Sequence, residues 1–276
     1  MIDPRELQRI LAVAFEEDMP HGDVTSETFI PETAVAQAEL VAREAGIFAG
    51  ADVLKAVFAA IDEQTNVDVL VNEGDGFTTG AVLARISGRA RAVLGAERVA
   101  LNLVQRMTAI ATMTRAYVEA AGPNVRVVDT RKTTPGLRAL ERHAVVCGGG
   151  KNHRYSLSDA VMVKDNHLAL VDDITAAIKA AREKLPHTTH VEIEVDRLDQ
   201  IDAVLAGGPD TIMLDNFSLD DLRTGMQQVA GRAIVEASGG VNLDTVRAIA
   251  ETGVDVISVG ALTHSARALD LGLDLR

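Results

Sequence analysis

The C-terminal half of the chain repeats one pattern, in which a short apolar run is followed by an amphipathic helical segment. A strand that is buried on both faces of a sheet appears as an apolar run, and a helix is the usual connection between parallel strands. The repeat therefore predicts a parallel sheet, either in an α/β barrel or in a doubly wound fold. The runs are fewer than the eight strands of a full barrel: VRVVD (125–129), AVMVK (160–164), HVEIEV (190–195), TIML (211–214), AIVEA (233–237) and VDVISVG (254–260).

The N-terminal part of the chain does not show this strand–helix repeat. The segment DPRELQRILAVAFEED predicts a helix, because Asp3 is a favourable N-cap, Pro4 suits the first turn and Glu6 completes a capping box. Apolar and polar residues alternate in AVAQAELVARE, NVDVLV and AVLARIS, which predicts strands, and ADVLKAVFAAIDE predicts a further helix. These elements indicate an α+β module up to about residue 90, and a long helix from Gly95 to Ala121 leads into the repeat.

The charge distribution restricts the partners of the chain. A formal net charge of −13 argues against nucleic acid and anionic membranes. The single cysteine, Cys147, cannot form an internal disulfide, no apolar run approaches about eighteen residues, and the opening MIDPRELQRI lacks the pattern of a secretory signal. We therefore expect a cytoplasmic protein. Between Arg131 and Lys164, seven Lys and Arg residues stand against two acids, which predicts either a solvated basic face or an anion-binding wall.

Five of the predicted strands end in charged or polar residues. In α/β barrels the active site lies at the C-terminal ends of the strands, where residues from several strands meet. Burying unpaired charge is costly, and folding alone does not require it. We therefore expect these groups to surround one ligand pocket: Asp129 with Arg131 and Lys132, Lys164 with Asp165, Glu194 with Asp196, Asp215 with Asn216, and Glu236 with Ser238.

The last two strands end in glycine-containing segments, EASGGVN and ISVGALTHS. Gly239, Gly240 and Gly260 would let backbone N–H groups approach a ligand, and barrels commonly hold phosphate groups in the loops after the final strands. The basic residues predict a ligand with several negative groups, since Arg and Lys bind carboxylate and phosphate. Glu194 and Asp215 have the oxygen donors that position Mg²⁺ beside phosphates, and they could equally bind ribose hydroxyls.

Long and compositionally unusual segments occur throughout the chain: EEDMPHGDVTSE, GIFAG, ERVALNLVQRMTAIAT, DTRKTTPGLRALERHAVVCGGGKNHR, SDAVMVKDNHL, VEIEVD, IMLDNF, EASGGVN, GVDVISVGALTHS and LDLGLDL. As a set they resemble the quinolinate phosphoribosyltransferase family, also called carboxylating nicotinate-nucleotide pyrophosphorylases, of NAD biosynthesis. The resemblance implies an N-terminal α/β sandwich domain (residues 1–110) followed by an incomplete α/β barrel of about six strands (residues 111–264). The tail, residues 265–276, would pack back on the first domain.

The resemblance also implies a reaction, in which quinolinate and phosphoribosyl pyrophosphate give nicotinate mononucleotide, pyrophosphate and CO₂ with Mg²⁺ as cofactor. Lys132, Glu194 and Asp215 would be catalytic, and the two acids would bind the ribose or the metal, directly or through water. The substrate-binding residues that it implies are Arg98, Thr130, Arg131, Lys132, His153, Arg154, Lys164, Glu194, Asp215, Ser238, Gly239, Gly240, Ser258, Val259 and Gly260.

Arg98, in the segment ERVALN, matches an arginine that family members insert across a dimer interface. The resemblance therefore implies a homodimer with a shared active site, and a hexamer is the larger alternative. Two segments depart from the family pattern: Thr108 and Ala109 stand where Ser-Gly is frequent, and ERHAV stands where a Lys-Tyr pair is common. Neither departure touches a residue assigned to the site.

Three other functions are compatible with the sequence. A molybdenum-transport-associated relative shares the fold and many of the motifs. A carbonyl lyase is the second alternative, because Lys164 ends a predicted strand as a Schiff-base lysine does in barrel aldolases. A phosphoribosyl or nucleotide sensor without catalytic activity is the third. The nearly complete basic set favours the quinolinate enzyme.

Overall fold

The computed structural model describes residues 2–276. Its helices are α1 Pro4–Asp18, α2 Val24–Phe29, α3 Ala51–Ile61, α4 Ala90–Ala121, α5 Arg138–Cys147, α6 Asp165–Leu168, α7 Ile174–Lys184, α8 Ile201–Gly207, α9 Leu219–Val229, α10 Val246–Ala250 and α11 Ala261–His264. Its strands are β1 Val35–Ala42, β2 Gly46–Ile47, β3 Asn66–Val69, β4 Gly76–Phe77, β5 Val82–Arg89, β6 Arg126–Val128, β7 Val161–Val163, β8 Val191–Val195, β9 Thr211–Asp215, β10 Ile234–Ser238, β11 Val256–Ser258 and β12 Leu271–Leu275. Within these residues no helix is long and apolar enough to cross a membrane.

The chain forms two compact units. The first contains the residues up to Arg115 together with Thr133–Gly149 and Leu262–Arg276, and the second contains Ala116–Lys132 and Gly150–Ala261. The predicted boundaries, 1–110 and 111–264, place Thr133–Gly149 in the second domain, whereas this segment belongs to the first compact unit. As limits of independent domains they stay a prediction.

The first unit is built on an antiparallel sheet with the strand order β12, β1, β5, β3. Leu40 on β1 and Ile86 on β5 are fully buried and belong to its core. The tail strand β12 pairs with β1 from Ala42 to Ala38, so it forms one edge of this sheet. A separate antiparallel pair, β2 with β4, completes the strands of this unit.

Local sequence signals predicted some helices of the first unit but not all of them. Asp3 caps α1, since its side chain accepts a hydrogen bond of 2.8 Å from the Arg5 backbone N–H. The long helix α4 begins at Ala90 and not at Gly95, because buried Ala92 and Val93 extend its apolar stripe towards the N-terminus. Helix α5 was not predicted, although buried Leu140 and Val145 give it an apolar face.

The second unit is a parallel sheet with the strand order β6, β11, β10, β9, β8, β7. Strands β6 and β7 lie at the two ends of this order and do not pair with each other in the described residues, so the sheet is open. All six predicted apolar runs are strands, and helices α7, α8, α9 and α10 lie in the predicted connections. The predicted incomplete α/β barrel is confirmed.

The register of the central strands places acidic residues on one face of this sheet. All five residues of β8, VEIEV, are buried, and its apolar and acidic residues alternate. Glu194 pairs with Met213 of β9, and Met213 pairs with Glu236 of β10. Because paired residues of neighbouring strands point to the same face, these three side chains share one face, and Glu192 lies on it two residues earlier.

Candidate active site

A cavity of about 540 Å³ lies within the second unit, mainly at the C-terminal ends of its strands. In α/β barrels this end carries the ligand site, because loops from several strands converge there. The cavity is lined by Thr130, Arg131, Lys132, His153, Arg154, Met162, Lys164, Met213, Asp215, Asn216, Glu236, Ser238, Gly239, Gly240 and Ser258.

Most of the predicted site residues line this cavity, eleven of them directly: Thr130, Arg131, Lys132, His153, Arg154, Lys164, Asp215, Ser238, Gly239, Gly240 and Ser258. Glu194 does not line it but contacts Lys164. Val259 and Gly260 are not in the lining, and the Val259 N–H donates a hydrogen bond to the Val128 carbonyl. Arg98 is an exposed residue of α4 in the first unit, and its part in a shared site stays a prediction.

Lys164 and Glu194 form an ion pair in the wall of the cavity. The Lys164 Nζ atom lies 2.6 Å from Glu194 Oε2, and the lysine side chain is 46% exposed whereas the glutamate side chain is 9% exposed. The pairing of β7 with β8 brings the two residues together, since Val163 is opposite Ile193. An anionic ligand can therefore reach the ammonium group, which the buried carboxylate holds in place.

A second ionic cluster, which the sequence analysis did not predict, surrounds His153. Its Nε2 atom lies 3.1 Å from Glu192 Oε2 and 3.5 Å from Glu236 Oε2. Its backbone N–H donates a hydrogen bond of 2.8 Å to Asp129 Oδ1, and Asp129 is fully buried. The buried carboxylates therefore fix both the ring and the backbone of a histidine that faces the ligand cavity.

Burial opposes protonation of His153, but the adjacent Glu192 and Glu236 carboxylates outweigh it and raise the pKa of the imidazole to about 10. One contact favours the neutral ring, because the Arg154 backbone N lies 2.7 Å from Nδ1. A single amide dipole is weaker than two nearby carboxylate charges. The two carboxylates therefore favour the protonated imidazole of His153, while burial raises the pKa of Glu192 in the same cluster.

Buried oxygen atoms without partners point to a ligand in the same place. In the described part of the chain, Glu192 Oε1, Glu236 Oε1 and Ser258 Oγ are buried and lack a hydrogen-bond partner. An unsatisfied buried polar group costs about 1–3 kcal/mol. Glu236 and Ser258 line the cavity, so a polar ligand there could satisfy them.

The glycines after β10 allow the chain to turn closely around the cavity. Gly239 and Gly240 have φ angles of 88° and 63°, which side chains rarely adopt. A Cβ atom at Gly239 would lie 2.2 Å from the Asn216 side-chain oxygen, so the close approach of these two segments requires glycine. The helices α10 and α11 that follow the last two strands have only five and four residues. The phosphate site predicted in the loops after the last two strands would therefore depend on these backbone turns more than on a helix dipole.

Three residues of this region were not predicted from the sequence: Met162, Glu192 and Met213. Asn216 and Glu236 were expected at the pocket and do line it, but they were given no role there. The three residues that were not predicted lie inside strands, two positions before the charged residue at the end of each strand. The signal was present in VEIEV, where acids alternate with buried apolar residues in a strand with both faces covered.

The charge state of His153 gives a testable prediction. An NMR titration of its imidazole should show protonation persisting well above 6.5, the ordinary value for histidine, and Glu236→Gln should lower the pKa because one of the two carboxylates is neutralised. Since the folded-state pKa is raised, the stability that this group contributes is fully present below about pH 6.5 and is lost as the pH rises towards 10. His153→Gln identifies the resonance, and a His153 pKa at or below 6.5 would contradict the assignment.

An open parallel α/β barrel with cations, buried acids and glycine turns around one cavity is an enzyme fold suited to a polyanionic substrate. Two family models match the chain, the N-terminal domain of quinolinate phosphoribosyl transferase over residues 23–108 and its C-terminal domain over residues 110–274. The chain belongs to the quinolinate phosphoribosyl transferase family.

Individual relatives support this assignment. The chain is 44% identical over 272 residues to the nicotinate-nucleotide pyrophosphorylase (carboxylating) of Mycobacterium leprae, covering 95% of this chain and 94% of the relative. It is 42% identical over 271 residues to a probable enzyme of the same name from Bacillus subtilis, covering 98% and 93% of the two chains. The crystal structure of NadC from Streptococcus pyogenes is similar with a TM-score of 0.95 at 40% identity, covering 100% of this chain and 99% of that one.

Proposed function

We propose that this chain transfers the phosphoribosyl group of phosphoribosyl pyrophosphate to quinolinate with loss of CO₂, giving nicotinate mononucleotide and pyrophosphate. The observation that carries the proposal is the convergence of Arg131, Lys132, Arg154 and Lys164 on one cavity. These cations fit the two carboxylates of quinolinate and the phosphates of the second substrate. The family and its relatives supply the identity of the substrates.

The binding roles follow from the position of each group in the cavity. Arg131, Arg154, Lys164 and His153 would form the wall that binds the quinolinate carboxylates, and Lys132 would bind the pyrophosphate. Arg offers a planar pair of donors to a carboxylate, whereas Lys is a compact charge that suits phosphate oxygens. The phosphate end of the ribose would lie against Ser238, Gly239, Gly240 and Ser258, where backbone turns and hydroxyl groups are available.

The chemistry requires positioning and charge more than a covalent intermediate. The pyridine nitrogen forms a bond to the anomeric carbon as the bond from that carbon to pyrophosphate breaks, through an oxocarbenium-like transition state. Glu194 would stabilise the positive charge on the ribose, and Lys132 the negative charge on the leaving group. When CO₂ then leaves, the electron pair of the broken bond stays on ring carbon 2, where the adjacent positively charged nitrogen stabilises it, and a proton takes the place of the carboxylate on that carbon.

Mg²⁺ is the proposed cofactor, and the available donors fit it. Glu194 and Asp215 offer carboxylate oxygens, the donor type that Mg²⁺ prefers. Each has one oxygen engaged already, Glu194 with Lys164 at 2.6 Å and Asp215 with the Asn216 side-chain amide at 2.7 Å. Binding through water or through a single oxygen therefore suits both residues. When bound, the ion would neutralise the pyrophosphate charge.

We also propose a homodimer in which Arg98 reaches the site of the partner, with a hexamer as the larger assembly, and action in the cytoplasm. The exposure of Arg98 supports the first part, because an arginine that crosses an interface must extend from the surface of its own subunit. Size measurement in solution, with Arg98→Ala assayed alone and mixed with an active-site variant, tests whether the sites are shared.

The decisive assay combines the purified chain with quinolinate, phosphoribosyl pyrophosphate and Mg²⁺, and measures mononucleotide, pyrophosphate and CO₂. We expect all three products in equal amounts. Nicotinate is the control substrate, since it lacks the carboxylate that becomes CO₂. Binding of both substrates without pyrophosphate release would favour a sensor, and activity with a different acceptor alone would favour a divergent relative such as the molybdenum-transport-associated one.

The ion pair at Lys164 argues against a Schiff-base lyase. A lysine nucleophile is activated by desolvation or by a neighbouring cation, whereas Lys164 is half-exposed and bonded to a carboxylate. Borohydride treatment with carbonyl compounds should therefore leave no adduct on this residue, and a stable adduct would reopen the lyase alternative.

A further inference from the structure

The first compact unit contains a cluster of three metal-binding side chains, Glu73, His143 and Cys147, which we call the Glu-His-Cys cluster. The Glu73 Oε2 atom lies 2.9 Å from His143 Nε2 and 2.8 Å from Cys147 Sγ. The third edge, from Cys147 Sγ to His143 Nε2, is 3.5 Å. Three different ligand atoms therefore converge on one point, outside the residues assigned to the proposed reaction.

We propose that the Glu-His-Cys cluster is a binding site for Zn²⁺ or a similar thiophilic divalent ion. Thiolate, imidazole and carboxylate are the three protein ligand types of zinc sites. His143 and Cys147 are four residues apart on α5, which places both on one face of the helix. Glu73 supplies the third ligand from a distant segment, and water would be the fourth.

The present distances are close to those of a tetrahedral zinc site. Zinc bonds of about 2.0–2.3 Å place neighbouring ligand atoms about 3.4–3.6 Å apart. The sulfur to imidazole edge, at 3.5 Å, already has this length. The two edges to Glu73 are shorter because they are hydrogen bonds, so the carboxylate oxygen needs to withdraw by less than about 1 Å.

The surroundings hold the carboxylate in place and leave an entry path. The other oxygen of Glu73 accepts hydrogen bonds from the Gly50 and Ala51 backbone N–H groups at 2.9 and 2.6 Å, at the start of α3. Such outer contacts orient a metal ligand and leave its free oxygen for the ion. The side chains of His143 and Glu73 are 18% and 29% exposed, so an ion and a water molecule can reach the cluster from solvent.

The ligand set distinguishes this site from the proposed Mg²⁺ site. Mg²⁺ prefers oxygen ligands and retains its waters, whereas sulfur and imidazole ligands favour zinc. His153, Glu192 and Glu236 form a second cluster that could hold an ion, but it lacks sulfur. Since Cys147 is the only cysteine of the sequence, any metal–thiolate signal reports on the Glu-His-Cys cluster alone.

Titration of the full-length, reduced protein with Co²⁺ tests the proposal. We expect one equivalent to produce a near-ultraviolet thiolate charge-transfer band with tetrahedral visible bands, and Zn²⁺ to abolish both by displacement. Cys147→Ser should remove the charge-transfer band, and His143→Ala should weaken Zn²⁺ binding at least about tenfold. His187→Ala is the matched control, because His187 is exposed and lies outside the cluster.

A second measurement separates binding from folding defects. Zn²⁺ should raise the melting temperature of the wild-type protein and of His187→Ala, while the increase should be smaller in Cys147→Ser, since this variant lacks the thiolate and can bind the ion only elsewhere, as at His153, Glu192 and Glu236. Mg²⁺ should produce no difference between wild type and Cys147→Ser. A folded wild-type protein that shows no thiolate band with Co²⁺ would overturn the proposal, as would equal zinc affinity in Cys147→Ser.

Discussion

Glu194→Ala is expected to lower kcat/KM by about two to three orders of magnitude, the usual effect of losing one preorganised charge contact at a reacting centre. Glu194 is the buried partner of Lys164, which lines the cavity, and we propose that its negative charge stabilises the ribose. Because that charge matters most when the anomeric carbon becomes positive, the loss should fall mainly on kcat. Steady-state kinetics of mononucleotide formation with both substrates varied measures the two parameters separately.

The fold should survive this substitution. Removing Glu194 leaves the Lys164 ammonium half-exposed, so water can solvate it. Asp196→Ala is the matched control, since Asp196 lies just beyond the same strand with its side chain 54% exposed to solvent. Comparable activities for Glu194→Ala and Asp196→Ala would remove Glu194 from the catalytic set.

Lys132→Ala is expected to lower turnover by a similar two to three orders of magnitude. Lys132 is an exposed residue of the loop after β6 and lines the cavity, where a compact cation can meet the charge that develops on pyrophosphate. Lys132→Arg should recover part of the loss, because it restores the charge but not the compact shape. Rates of pyrophosphate release under saturating substrates provide the measurement.

A nearby lysine gives the control for this prediction. Lys151 is also exposed but does not line the cavity, so Lys151→Ala should keep near-normal turnover. Thermal melting of both variants without substrate should match the wild type, since neither lysine is buried. Near-normal turnover of folded Lys132→Ala would show that the leaving group is stabilised by other residues.

The elements of the second unit were predictable from sequence because each is defined locally. A buried parallel strand needs a short apolar run and its crossover helix needs an amphipathic stretch, and both patterns are visible without knowledge of the fold. Strand β12 was different, because it depends on pairing with β1, far away in the sequence. Helix α5 follows the charged loop after β6. Its apolar face packs within the first unit, so it could not be recognised without knowing that this segment belongs to that unit.

The candidate site was also predictable only where its residues are marked by a local sequence pattern. Residues that close a strand, such as Lys164 and Asp215, are marked by the change from apolar to charged sequence. Glu192 is not marked in this way, since it lies inside β8. Glu236 was expected at the pocket, but its contact with His153, like that of Glu192, arises only through the register of the sheet. The Glu-His-Cys cluster likewise joins two segments that no local pattern connects.

The pairing of β1 with β12 has a consequence for biosynthesis. Strand β1 is made early, but its outer neighbour consists of Leu271–Leu275, so the antiparallel sheet of the first unit cannot be completed until this distant segment has been synthesised. During elongation the backbone donors and acceptors along that side of β1 are open to other chains. A nascent chain that has not yet made Leu271–Leu275 should therefore be prone to pair with other chains at this edge, until β12 covers it.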